Sequence, residues 1–195
     1  MEDKRMTEQD ILRALEETGA LLNGHFELRS GLHSDRYFQC AYLLRQPRRA
    51  EALCAELVRR MRPSLAGARL DGVIAPALGG ILVGHEVARA LDLQSIFAEK
   101  QDGRLVLRRF AIRPGERYVV AEDVITRGGR VQETIDIVRA AGAEAAAVAV
   151  IVDRSDGAAK FDCPAFSLLR MAPTTWAPAD CPLCRQGSRA VHPGS

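Results

Sequence analysis

Lysine is scarce in this 195-residue chain: Lys4, Lys100 and Lys160 are the only three, so its cations are almost all arginine. Net charge is nearly absent too, at +2, which is too little to argue for a nucleic acid or a membrane surface as partner. No apolar run reaches the roughly 18 residues of a membrane-spanning helix. The polar start MEDKRMTEQD lacks the apolar stretch of a secretory signal. Cysteine is sparse and odd in number, five in all. Cys40, Cys54, Cys163, Cys181 and Cys184 mostly sit in apolar contexts, which favours reduced thiols in a cytoplasmic protein over a disulfide framework. There is no internal repeat or low-complexity tract. Two common phosphate motifs are also missing: no G-x-x-x-x-G-K-[ST], and no G-x-G-x-x-G after a strand.

What is present, 47% hydrophobic and 27% charged residues, is the composition of a soluble globular protein long enough to bury one sizeable core. Thr7 and an acidic first turn predict a helix with Ile11, Leu12, Leu15 and Leu22 on one face. His25 to Leu28 alternates like a strand, Arg29 to Asp35 is a polar turn, and Tyr37 to Leu44 reads as a second strand. Pro47 suits the start of a helix through Leu53, Leu57 and Met61 that ends before Pro63.

From there strands and helices alternate. Val73 to Ala75 is a short buried strand, Pro76 to Gly80 a loop, and a helix runs to about Leu91. Ser95 to Ala98 is a strand, Asp102-Gly103 a turn within a hairpin that includes Leu105 to Leu107, and Tyr118 to Ala121 another strand. Val131, Ile135 and Val138 mark a helix face, Gly142 fits its C-terminal cap, and Ala145 to Val152 is the near-continuous apolar strand that a parallel sheet requires. These units in series predict an α/β fold with an open, mostly parallel sheet flanked by helices, whose ligands bind at the carboxyl ends of the strands.

The segment Tyr118 to Arg130 carries the chemistry. An apolar strand delivers Glu122 and Asp123 to its carboxyl end, Val124 and Ile125 follow, and Thr126-Arg127-Gly128-Gly129-Arg130 leads into a helix. Unpaired amides at a helix N-terminus attract an anion, glycines let the backbone close on phosphate oxygens, and Thr126 adds a hydroxyl donor. The two carboxylates suit the two hydroxyls of a ribose. An isolated Glu-Asp pair would be ordinary at a strand end; the apolar strand before it and Thr-x-Gly-Gly after it make a sugar-phosphate site.

This segment resembles the phosphoribosyl-pyrophosphate signature of the type I phosphoribosyltransferases, with Arg127 and Arg130 standing where small or hydroxylated residues are usual. Ala75 to Ile81 resembles the family's pyrophosphate loop, and implies leaving-group contacts from Ala77, Leu78, Gly79 and Gly80; many members carry a lysine where this chain has Gly79. The stretch Gly24 to Phe38 is similar to the hood of orotate phosphoribosyltransferases, and implies a base pocket from Arg29, Tyr37 and Phe38, joined by Thr126 and by Arg154 at the end of the strand Ile151 to Asp153. A guanidinium and aromatic rings suit a planar, anionic pyrimidine.

The resemblance covers roughly residues 20 to 157 and divides the chain into an N-terminal helix and hood (1–45), a core (46–172) and a loosely structured tail (173–195). It implies transfer of a ribose 5-phosphate to orotate in pyrimidine synthesis, with Mg²⁺ held mainly by the donor substrate rather than directly by protein side chains, and a homodimer. Lys100 and Arg104 would serve catalysis from a short loop, with Arg108 and Arg109 as further cations, alongside Asp123. Two alternatives stand beside it: the same chemistry on another base such as a purine, or a non-catalytic sensor of the donor or a nucleotide. Cys181-Pro182-Leu183-Cys184 is a single C-x-x-C. A structural zinc needs four ligands and no second pair lies nearby, although Cys163 and His192 could contribute, so an inert or loosely ordered tail is favoured over a zinc site. His25, His33 and His85 read as structural or surface residues, because no pair has ligand spacing.

Overall fold

The computed structural model describes residues 5–28, 30–67 and 69–193. Helix α1 (Glu8–Glu17) opens with a reciprocal cap, in which Asp10 N donates to Thr7 Oγ1 (3.2 Å) and Thr7 N donates to Asp10 Oδ2 (3.0 Å). Its Ile11 and Leu15 are wholly buried, worth about 1.5–3 kcal/mol each. The helix stops at Glu17, and Gly19 turns the chain at φ 74°. Leu22, expected on the helix face, therefore lies in strand β1 (Leu21–Glu27), where it is exposed.

Strand β2 (His33–Phe38) pairs antiparallel with β1, with Leu22 opposite Tyr37 and Glu27 opposite His33. The strand expected over Tyr37 to Leu44 is corrected: β2 begins earlier, and Ala41–Leu44 is a short helix, α2. Cys40, Leu43 and Leu44 are buried at spacings of three and four, a helical pattern within a run too short to separate from a strand by periodicity. Helix α3 (Pro47–Met61) has proline in its first turn and buries Leu53, Leu57 and Met61, as expected.

The core follows as β3 (Gly72–Pro76), α4 (Gly79–Leu91), β4 (Gln94–Gln101), β5 (Arg104–Val106), β6 (Arg117–Ile125), α5 (Gly129–Ala140), β7 (Glu144–Asp153) and β8 (Ala165–Arg170). These strands form one six-stranded sheet in the order β5-β4-β3-β6-β7-β8, parallel throughout except for β5, which returns antiparallel from β4. The β4–β5 turn is Asp102-Gly103, both at positive φ (49° and 85°), the backbone that this dipeptide favours in a hairpin.

Side chains alternate between the faces of the sheet. Val73, Val119, Ala147, Ala149 and Ile151 pack with α1, α3 and α4, whereas Ile74, Val120, Val148 and Val150 pack with α5. On the first face Gly84 lets α4 come close, since a Cβ there would lie 2.9 Å from that of Ala75.

The tail is ordered where a loose segment was expected. Strand β9 (Thr175–Trp176) pairs with β2, so the three-stranded sheet β1-β2-β9 is built from both ends of the chain. Val191 bonds the backbone on both sides of Phe26: its N donates to His25 O (2.8 Å), and its O accepts from Glu27 N (2.9 Å). A last short helix, α6 (Pro182–Arg185), carries Cys184. The imidazoles of His25 and His33 are both buried and meet 3.0 Å apart beside Cys181 and Cys184, while Cys163 and His192 lie elsewhere: Cys163 packs with the α5 side of the core, and His192 contacts Pro193 O.

Candidate active site

In chain order β3 leads through α4 to β4 on one side, and β6 then pairs on the other side of β3. Strand order reverses between β3 and β6, so the loops leaving their carboxyl ends diverge around a crevice, the place where open α/β sheets bind ligands. These are the two loops singled out by sequence, Pro76–Gly80 and Thr126–Arg130, the second ending earlier than expected because α5 begins at Gly129.

The loops meet across the acidic pair. Strand β6 extends beyond Ala121 to Ile125, so Glu122 and Asp123 belong to its last turns of pleat. A Cβ added at Gly79 would lie 2.8 Å from Asp123 Oδ2, and one at Gly80 would lie 3.0 Å from Glu122 Oε1 and 3.1 Å from Ala121 O. The pyrophosphate-type loop therefore lies close against the carboxylates, and a side chain at position 79 would need the Asp123 carboxyl to shift. Ala77 and Leu78 form the tip, Leu78 being 82% exposed; Ala77 N donates to Ala98 O (2.8 Å), tying the tip to β4.

The two carboxyls are unlike. Glu122 is 3% exposed, and burial, together with the charge of Asp123 and a hydrogen bond shared with it, pushes its pKa up to about 9, with Arg130 opposing. Burial and the neighbouring Asp123 thus favour the protonated form of Glu122, whose environment differs from that of Asp123. Asp123 is half-buried; its Oδ1 accepts from Val124 N (2.8 Å), and its own N donates to Glu122 Oε1 (3.1 Å).

Gly128 caps α5 at φ 80°, and a Cβ there would meet the Phe161 ring at 3.0 Å, so glycine is required on both counts. Thr126, Arg127 and Gly129 are exposed beside it. A cavity of about 160 Å³ lies at this helix N-terminus, lined by Glu122, Val124, Ile125, Thr126, Gly128 and Arg130 among others. Arg130 does not reach only outward: its Nη1 donates to Ala77 O (3.3 Å), bridging the two loops.

On the hood side, Arg154 follows β7 and donates its backbone N–H to Ile125 O (2.8 Å), next to the phosphate-type loop. Asp153 and Ser155 fix this turn, Ser155 N and Oγ both donating to Asp153 Oδ1 (2.9 and 2.6 Å). The Arg154 guanidinium lies 5.7 Å from the centre of the Phe38 ring. Burial lowers its pKa, and its buried Nε has no partner among the described residues. Tyr37, the neighbouring strand residue, instead sets its ring 5.8 Å from that of Phe26. Arg29 lies outside the described residues.

Lys100 and Arg104 are exposed on the β4–β5 hairpin. Arg109 is held by Glu99 (3.1 Å), and Leu105 N donates to Glu133 in α5 (2.7 Å), tying β5 to α5 opposite Lys100. Cys40, read from the sequence as a reduced thiol in an apolar context, is buried in the hood. Its thiol is pushed well up, by burial first and then by Asp123, with Arg154 opposing, so this hood residue lies within electrostatic reach of both halves of the site. Nothing local marked it, because the contact depends on the hood folding over the sheet.

The comparisons with known proteins agree with this architecture. The phosphoribosyl transferase domain family matches residues 43–184. The orotate phosphoribosyltransferase of Pelotomaculum thermopropionicum is 49% identical over 191 residues, covering 97% of this chain and 98% of that protein. Its counterpart from Heliobacterium modesticaldum is 48% identical over 191 residues, covering 97% and 99%. Among solved structures, the orotate phosphoribosyltransferase from Aeropyrum pernix gives a TM-score of 0.63 at 26% identity, covering 82% of this chain and 93% of that one. An adenine phosphoribosyltransferase gives 0.67 at 19% identity, covering 80% and 99%, a likeness of fold alone. Since the fold is shared by proteins named for different bases, near-full-length identity is what narrows the family, and by it the chain belongs to the phosphoribosyl transferase family as one of the orotate phosphoribosyltransferases.

Proposed function

We infer that this chain transfers the 5-phosphoribosyl group of 5-phosphoribosyl 1-diphosphate to orotate, releasing diphosphate and forming orotidine 5′-phosphate in pyrimidine synthesis. The observation that carries the reading is the meeting of the two glycine-bearing loops on the Glu122–Asp123 pair at the strand-order reversal.

In this reading the 5-phosphate sits at the N-terminus of α5, on the amides of Thr126 to Gly129 and the Thr126 hydroxyl. Asp123 accepts from a ribose hydroxyl, and Glu122, holding its proton, can both donate and accept. The diphosphate lies on the backbone of Ala77 to Gly80. Orotate packs near Phe38, with its carboxylate toward Arg154, whose buried Nε has no other partner among the described residues. As the bond from the orotate nitrogen to the anomeric carbon forms, the bond from that carbon to diphosphate breaks; the protein positions both and stabilises the departing charge.

Mg²⁺ is the cation this chemistry uses. It would be held mainly by the donor substrate rather than directly by protein side chains, and would add charge neutralisation at the diphosphate. The same reading includes a homodimer in which the exposed Lys100–Arg104 hairpin serves a partner's site, and a cytoplasmic setting, which the free cysteines favour. Mixing two impaired variants, Lys100→Ala and Asp123→Asn, tests the sharing: activity above that of the two measured separately supports it.

The test of the activity is incubation with orotate, 5-phosphoribosyl 1-diphosphate and Mg²⁺, following loss of orotate absorbance, with adenine as the rival acceptor. Turnover with adenine and not orotate would reassign the base, and donor binding without any turnover would make the chain a sensor.

A further inference from the structure

We propose that His25, His33, Cys181 and Cys184 bind one structural Zn²⁺ that fastens the C-terminal segment to the hood, a site separate from the phosphoribosyl chemistry. Four ligand atoms, one from each residue, lie within 4.8 Å of one another. His25 Nε2 is 3.0 Å from His33 Nδ1, Cys181 Sγ is 3.4 Å from His25 Nε2, and Cys184 Sγ is 3.8 Å from His25 Nε2 and 3.3 Å from His33 Nδ1. A tetrahedral ion with Zn–N near 2.05 Å and Zn–S near 2.3 Å requires N···N of about 3.3 Å and S···N of about 3.6 Å. All four separations fall within about 0.3 Å of those values.

Three further observations support a metal over a chance cluster. His25, His33 and Cys181 are buried, so the ligands are already withdrawn from water, and Cys184 closes the set from α6. The ring nitrogen of His25 that faces away from the cluster, Nδ1, lies 3.1 Å from Ser188 Oγ, the outer-shell contact that fixes a ligating imidazole. The tail also needs a staple. Among its described residues, 173 to 193, Cys181 is the only buried one, so this segment has no apolar core of its own. Among the described residues its other ties to the hood include the two-residue pairing of β9 with β2, the Val191 backbone bonds, one bond from Ser34 Oγ to Thr174 O and the His25–Ser188 contact. Two imidazoles from a hairpin and two thiolates from a short C-x-x-C turn are a donor set that selects zinc among the common divalent ions.

Metal analysis of the full-length protein, purified under reducing conditions without a metal-affinity step, should find about one Zn²⁺ per chain. Cys184→Ser and His33→Gln should each lower that to under a tenth, while Cys163→Ser leaves it intact. Should those variants fail to fold, X-ray absorption at the zinc edge of the wild-type protein should still show two sulfur and two nitrogen neighbours, and thiol-modifying reagent should release the ion stoichiometrically. A metal-free wild-type protein that does not take up added zinc at micromolar concentration, a Cys181–Cys184 disulfide in the reduced preparation, or full zinc content in Cys184→Ser would each overturn the proposal. None of these outcomes depends on whether orotate is the acceptor.

Discussion

Glu122→Gln should flatten the dependence of folding stability on pH. Glu122 is buried against Gly80 and Asp123, and its pKa stands at about 9, far above the ordinary carboxylate value. A group whose pKa is higher in the folded state gives stability that is complete below its unfolded pKa and is lost as pH rises through the folded value. The folded chain therefore holds a proton here that the unfolded chain releases, and stability falls with pH across that window. The limiting slope is about 1.4 kcal/mol per pH unit, hence at most about 2.7 kcal/mol between pH 6 and pH 8. The proton belongs in part to the pair with Asp123, which makes this an upper limit. Glutamine keeps the size and one acceptor without titrating. Urea denaturation at pH 6, 7 and 8 measures the difference: wild type should lose stability relative to the variant as pH rises. Parallel curves for the two proteins would refute the buried proton.

Asp123→Asn should weaken donor binding by roughly tenfold or more, the loss of a charge-assisted hydrogen bond worth about 1.5–3 kcal/mol, and should do so more than Glu122→Gln; calorimetric titration with 5-phosphoribosyl 1-diphosphate compares them. Arg154→Ala should lower kcat/KM for orotate by about tenfold to a hundredfold with donor affinity little changed, and wild-type kcat/KM would remove it from the base pocket. Lys100→Ala should lower kcat at least tenfold, Lys100→Arg should recover part, and an Arg104→Ala control in the same steady-state assay shows which cation carries the effect.

The parallel core was legible because strands buried on both faces are apolar runs, as at Val73–Ala75 and Ala145–Val152, and because Asp102-Gly103 and Gly142 carry their own backbone signals. The phosphate-type loop was legible because strand, carboxylates, glycines and helix are contiguous. What was not legible depends on segments distant in the chain. His25 and Cys181 are 156 residues apart, and no local spacing joins them. The histidines lack ligand spacing within one helix because the β1–β2 hairpin, not a helix, brings them together. The bond from Arg130 to Ala77 likewise exists only once the two loops face each other, so a residue that looked like a substituted phosphate contact also serves as a strut.

The shortage of lysine bears on where the positive charge for the departing diphosphate comes from. Arg130 is engaged with Ala77 O, Arg109 with Glu99, and Arg154 is half-buried beside Phe38. Gly79 leaves the pyrophosphate-type loop with backbone donors alone. Backbone amides can stabilise charge developing on the leaving group, but they carry no net charge. Under the proposed reading, Lys100 and Arg104 on the exposed hairpin add full charges at the leaving group. A contribution made mostly in the transition state lowers kcat when it is removed and leaves KM for the donor nearly unchanged. Lys100→Ala should therefore separate kcat from KM where Asp123→Asn does not, and a rise in the donor's KM with unaltered kcat would show that the hairpin only helps to bind.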